Sequence, residues 1–187
     1  MNAPHRVDVH QHVVPPFWIE ALPSHGGDPS GARAGDASSP VIPQWSSESA
    51  IAFMDSQEIA TSILSLTSPG IVRWQEGERR EMARRVNDYT ADLVAKRPDR
   101  FGNFATVPLP DVDGALSEFE YALDTLRADG VILLGNYAEK YLGDASFEPR
   151  GPYFRVSPHS HTQQSHDQYY ENKRSHTRAL HRGWGVV

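Results

Sequence analysis

Val7-Asp8-Val9-His10-Gln11-His12-Val13-Val14-Pro15-Pro16 reads as one short strand that carries two histidines to its C-terminal end. Residues two apart on a strand point to the same face. Asp8, His10 and His12 therefore share one face, and Val7, Val9 and Val13 the other. The valine face calls for an apolar cover. The histidine face calls for a metal ion or an internal polar network. Two imidazoles at this spacing lie roughly 6–7 Å apart at Cα, close enough to converge on one ion. Pro15 and Pro16 cannot donate to a sheet ladder, so the strand ends there.

Downstream of this strand, Phe17 to Leu22 forms a short apolar helical turn. Residues 24–44 are a long loop rich in Gly, Ser, Pro, Ala and Asp, and a loop of that length is functional or disordered. Trp45-Ser46-Ser47-Glu48 opens a helix, with Ser46 or Ser47 as cap and Ala50, Ile51 and Met54 at helical spacing. A second strand spans Ile59 to Leu66 and ends in the turn Thr67-Ser68-Pro69-Gly70. Glu78 to Arg97 is an amphipathic helix with Met82, Val86, Tyr89 and Leu93 on its apolar face. Arg79, Arg80, Arg84, Asp88 and Asp92 read as its solvated side. Phe101 to Val107 is a third strand. Asp111 caps a helix carrying Val112, Ala115, Leu116, Phe119, Leu123 and Leu126. Asp129-Gly130 turns into a fourth strand, Val131 to Leu134, followed by Gly135-Asn136-Tyr137. Strand and helix in regular alternation predict an α/β fold of parallel βα units.

The Asp-x-His-x-His strand at the start of this alternation resembles the first strand of the metal-dependent amidohydrolase superfamily. It is most similar to the amidohydrolase-related branch that includes aminocarboxymuconate-semialdehyde decarboxylase and other carboxy-lyases. Residues 6–149 resemble the first half of that family's TIM-type (β/α)8 barrel, through Tyr141-Leu142-Gly143-Asp144 and Phe147-Glu148-Pro149. Glu58 stands where the family usually has a helix-ending Gly.

The resemblance implies a decarboxylase or hydrolase acting on small organic acids or cyclic amides and esters. It also implies a divalent metal, foremost zinc, with His10 and His12 as two of its ligands. The alternative for both is a vacant, hydrogen-bonded pair. Asp8 would orient a ligand or, the favoured reading, be a half-buried capping carboxylate with a structural role. Trp45, Asn136 and Tyr137 would lie near the C-terminal face, where barrel substrates bind; for each, packing or loop chemistry is the favoured reading over substrate contact.

The family's fifth-strand His, a later catalytic His and the eighth-strand Asp have no counterpart here. A full barrel needs about 250 residues, and this chain has 187. After Pro149 the pattern changes: residues 150–187 hold five of the nine histidines, one Leu and no Ile. The expectation is a barrel half over 1–149 and an irregular or disordered tail over 150–187, frameshifted or truncated, with an incomplete active site. Two other classes remain open: a non-catalytic half-barrel that self-associates through its open edges, and a non-functional gene fragment.

Bulk properties narrow the partners. The chain has no cysteine, which removes disulfides and thiolate metal sites. It lacks an apolar run near the roughly 18 residues of a membrane span, and Met1 to Arg6 carries no signal-peptide core. A cytoplasmic protein without membrane contact is the expectation. The net charge of −6 divides into −10 over residues 1–149 and +4 over 150–187. An acidic body argues against nucleic acid. Phosphate-binding glycine loops and the G-x-S-x-G elbow are absent.

Overall fold

The computed structural model describes residues 5–26 and 45–147, together with the backbone of residues 185–186. Strand β1 (Arg6–Val13) leads into a short helix α1 (Pro16–Ala21) and a 3-10 turn over Leu22–His25. Helix α2 (Ser47–Ser56) precedes β2 (Ile59–Leu66), α3 (Glu76–Lys96) and β3 (Phe101–Thr106). Helix α4 (Val112–Glu120) continues as a π turn over Tyr121–Thr125 and is followed by β4 (Gly130–Ile132). A small hairpin, β5 (Asn136–Tyr137) and β6 (Lys140–Tyr141), comes next. The last element is β7 (Gly185–Val186). No helix among the described residues is long and apolar enough to cross a membrane.

Local chemistry sets the helix starts. At α2, Ser46 Oγ accepts from the Ser49 N–H while Ser49 Oγ accepts from the Ser46 N–H, both at 3.1 Å; this satisfies donors that the helix itself leaves open. At α4, Asp111 Oδ1 accepts from the Gly114 N–H at 3.0 Å. Glu76 and Glu78 at the start of α3 and Lys96 at its end match the helix dipole.

The strands pair in parallel in the order β1-β2-β3-β4-β7. One parity of each strand packs against helices. Val13, Leu64 and Phe101 join Ala50, Met54 and Leu93 in one apolar cluster. Leu66 joins Trp18, Leu22, Met82 and Val86 in a second. Ala105, Val107 and Val131 join Ala122, Leu123 and Tyr137 in a third. The opposite parity, which includes His12, Ser65, Phe104 and Thr106, forms the other face of the sheet.

Three features differ from the sequence expectation. First, the valine face of β1 is covered only at its end: Val13 is buried, whereas Val7 is 61 % and Val9 50 % exposed. The pairing with β2 slips between Asp8, opposite Ser62, and Gln11, opposite Leu64. Two residues of β1 therefore face one of β2, a bulge that breaks simple alternation. Second, the charged side of α3 is not simply solvated. Arg80 pairs with Asp111, Arg84 pairs with Glu118 at 2.9 Å, and Tyr121 Oη donates to Asp88 at 2.8 Å. These bonds join α3 to α4 and its extension.

Third, the expected open edge at β4 carries a neighbour. Gly185 and Val186 pair with Gly130 and Val131, so two residues of the 150–187 stretch are strand rather than irregular. The rest of that stretch, residues 150–184 and 187, and loop residues 27–44 lie outside the described residues.

Candidate active site at the end of strand one

The two histidines of β1 come together as their spacing predicts. Their ring centroids are 4.8 Å apart, edge to face at 72°. Asp8 supports this arrangement through the backbone, its Oδ1 accepting from the His10 N–H at 2.9 Å. That contact spans the bulge and helps hold the local turn that presents His10 on the same side as His12.

Burial and the neighbouring His10 ring push the His12 imidazole below its ordinary pKa; the Ser65 backbone and Asp8 pull weakly the other way. The outcome is a neutral His12 at neutral pH, the form in which imidazole binds metal. Level with His12 on β2 is Ser65, 1 % exposed.

The remaining sequence candidates are not drawn into one cluster with this pair. Trp45 packs partly buried against the Val13–Met54–Leu64 group. Tyr137 is 4 % exposed, its ring edge-on to Phe147 and its Oη accepting from the Leu134 N–H at 2.9 Å; burial raises its pKa. Asn136 beside it is exposed.

Two polar residues absent from the sequence candidates prove central to the framework. Asn87, fully buried on the apolar side of α3, reaches the end of β3. Glu118, 4 % exposed, receives both Arg84 and Asn87. An Asn between Val86 and Thr90 on a core-facing stripe was the available signal.

The donor set suits a divalent cation in kind, since both groups are imidazole nitrogen donors on one side of a strand. It supplies two positions. Among the described residues, no group of three or more His, Asp or Glu side chains stands together that could hold an ion.

The sequence matches the model of a family described as Amidohydrolase over residues 7–172. It is 43% identical over 150 residues to Decarboxylase yanB of Aspergillus niger, covering 77% of this chain and 39% of that protein. The crystal structure of 5-carboxyvanillate decarboxylase LigW from Sphingomonas paucimobilis is similar with a TM-score of 0.65 at 25% identity, over 77% of this chain and 47% of its own. A dihydroxybenzoic acid decarboxylase from Polaromonas, solved with bound manganese and the inhibitor 2-nitroresorcinol, gives a TM-score of 0.54 at 27% identity, over 79% and 44%. The chain thus spans less than half the length of the relatives it matches. Its parallel strands with helices packed against one parity correspond to about half of a TIM-type barrel.

Proposed function

The chain belongs to the amidohydrolase family, and from that premise we propose that it is part of a metal-dependent decarboxylase acting on hydroxyarenecarboxylic acids. The observation that carries this reading is the His10–His12 contact at the C-terminal end of β1, in a chain whose relatives are named as decarboxylases. His10 and His12 would supply two ligands to a divalent ion, zinc or manganese. The ion, when bound, would polarise substrate oxygen and make bound water more acidic. The protein's own share is to hold two imidazoles convergent, with Asp8 fixing the backbone between them. Completion of the site requires ligands beyond the described residues.

The test is binding of a dihydroxybenzoate with excess Mn²⁺, followed by titration calorimetry. Saturable, metal-dependent binding that benzoate does not reproduce and His10→Ala weakens supports the reading. Identical heats for dihydroxybenzoate and benzoate count against it.

A second reading, self-association, draws on a separate observation. Among the described residues β1 pairs with β2 alone, and it exposes Val7 and Val9 along an unpaired edge. Such an edge is a template for another chain. A concentration-dependent mass in sedimentation that Val9→Lys abolishes would support it.

A further inference from the structure

Thr106 ends β3 with a hydroxyl that has no hydrogen-bond partner among the described residues. Its Oγ1 is buried and forms no hydrogen bond to any described residue, and the residue is 7 % exposed. A buried hydroxyl left unpaired is costly, and native proteins rarely keep one without a use. Its own backbone cannot satisfy it, because the Thr106 N–H and C=O are both engaged by Asn87.

The direction of the side chain follows from its neighbours. Ala105 and Val107 lie in a helix-side cluster, so Thr106 takes the opposite face. His12 takes that face too, since Val13 packs against the helices. His12 is level with Ser65, and Leu64 is level with Asn103. Thr106 therefore stands two strands across from His12, about 10 Å laterally, and two residues nearer the C-terminal mouth. Ser62, a second hydroxyl without a hydrogen-bond partner among the described residues, does not qualify: it shares its parity with Leu64 and Leu66, which pack against the helices.

We propose that Thr106 is a substrate-binding residue whose hydroxyl bonds the distal ring substituent of a hydroxyarenecarboxylic acid lying across the sheet from His10 and His12. A threonine hydroxyl donates and accepts, so it can meet either a ring hydroxyl or a carboxylate oxygen. A ring substituent placed at the strand ends would supply the partner that the described residues do not. The proposal rests on the decarboxylase reading above and adds to it a contact that fixes ring orientation.

The test uses the whole 187-residue chain with excess Mn²⁺, 2-nitroresorcinol as the probe followed by absorbance, and parallel thermal melts. Thr106→Val should melt at or above the parent temperature and bind the probe about tenfold more weakly, the scale of one hydrogen bond to an uncharged or weakly charged partner. Thr106→Ser should bind within about twofold of the parent. Unchanged binding by Thr106→Val overturns the proposal and leaves the decarboxylase reading standing. A melting temperature lowered by several degrees in Thr106→Val overturns it as well, because the hydroxyl then has a structural partner. Absence of probe binding by the parent chain removes both.

Discussion

Asn87 holds Thr106 by both its backbone N–H and its backbone C=O. Its Nδ2 donates to the Thr106 carbonyl and its Oδ1 accepts from the Thr106 N–H, each at 2.8 Å. Ladder pairing between β2 and β3 is recorded from Ser62–Phe101 to Leu64–Asn103, and the Asn87 amide serves as the partner of Thr106 beyond it. The same Nδ2 also donates to Glu118 Oε1 at 2.8 Å. Asn87→Leu should cost about 2–4 kcal/mol, because it leaves buried backbone groups unpaired and strips a partner from a buried carboxylate. Urea unfolding measures it; a loss below about 1 kcal/mol would show that water or relaxation replaces the amide.

Asp111 caps α4 and pairs with Arg80, with Arg80 Nη2 at 2.8 Å from Oδ1. Gly114 makes room for the pair: a Cβ there would stand 2.2 Å from Asp111 Oδ2. Burial raises the Asp111 carboxyl, but Arg80 and the Gly114 N–H outweigh it, and its pKa lies below the usual carboxylate range. A depressed folded pKa gives stability that is present above the unfolded value, about 4, and lost as pH falls through the folded one. Asp111→Ala should cost about 1 kcal/mol at pH 7 and flatten the loss of stability below pH 4. Denaturation at pH 7 and pH 3 compares the two chains; parallel pH curves would contradict the assignment.

Glu58, in the turn between α2 and β2, has φ of 57°, a left-handed conformation that costs a side-chain-bearing residue on the order of 1 kcal/mol. Its pairing with Arg6 is exposed and long, 3.9 Å, and contributes little. Glu58→Gly should therefore stabilise the chain by up to about 1 kcal/mol. A lower melting temperature would show that the Arg6 contact outweighs the strain.

The order of strands and helices was legible because hydrophobic period and turn residues agree along residues 6–134. The histidine pair was legible for the same reason, since a period of two brings His10 and His12 together whatever lies around them. The bulge at Val9–His10 was not: it depends on Asp8 bonding the His10 N–H, a local choice that composition does not announce. Arg80 and Arg84 read as solvated because their acids, Asp111 and Glu118, are 31 and 34 residues away. Glu58 was legible by resemblance, as a residue standing where glycine is usual. The pairing of Gly185–Val186 with β4 had no signal, since two residues carry no period.

The 187-residue chain alone should release no CO₂ from dihydroxybenzoates, with zinc or with manganese. Among the described residues, two imidazoles stand where a catalytic zinc site holds three protein ligands. A coupled CO₂ assay checks this, and turnover lost in His12→Ala would show that the site is completed from residues outside those described.

The most direct test of the histidine pair as a metal-ligand pair is a Mn²⁺ titration followed by NMR of the histidine ring protons in the full chain. The rings of His10 and His12 should broaden together at the lowest Mn²⁺, and His12→Ala should abolish the early broadening of His10. Early broadening confined to the histidines of residues 159–181, with His10 and His12 unaffected, would contradict it.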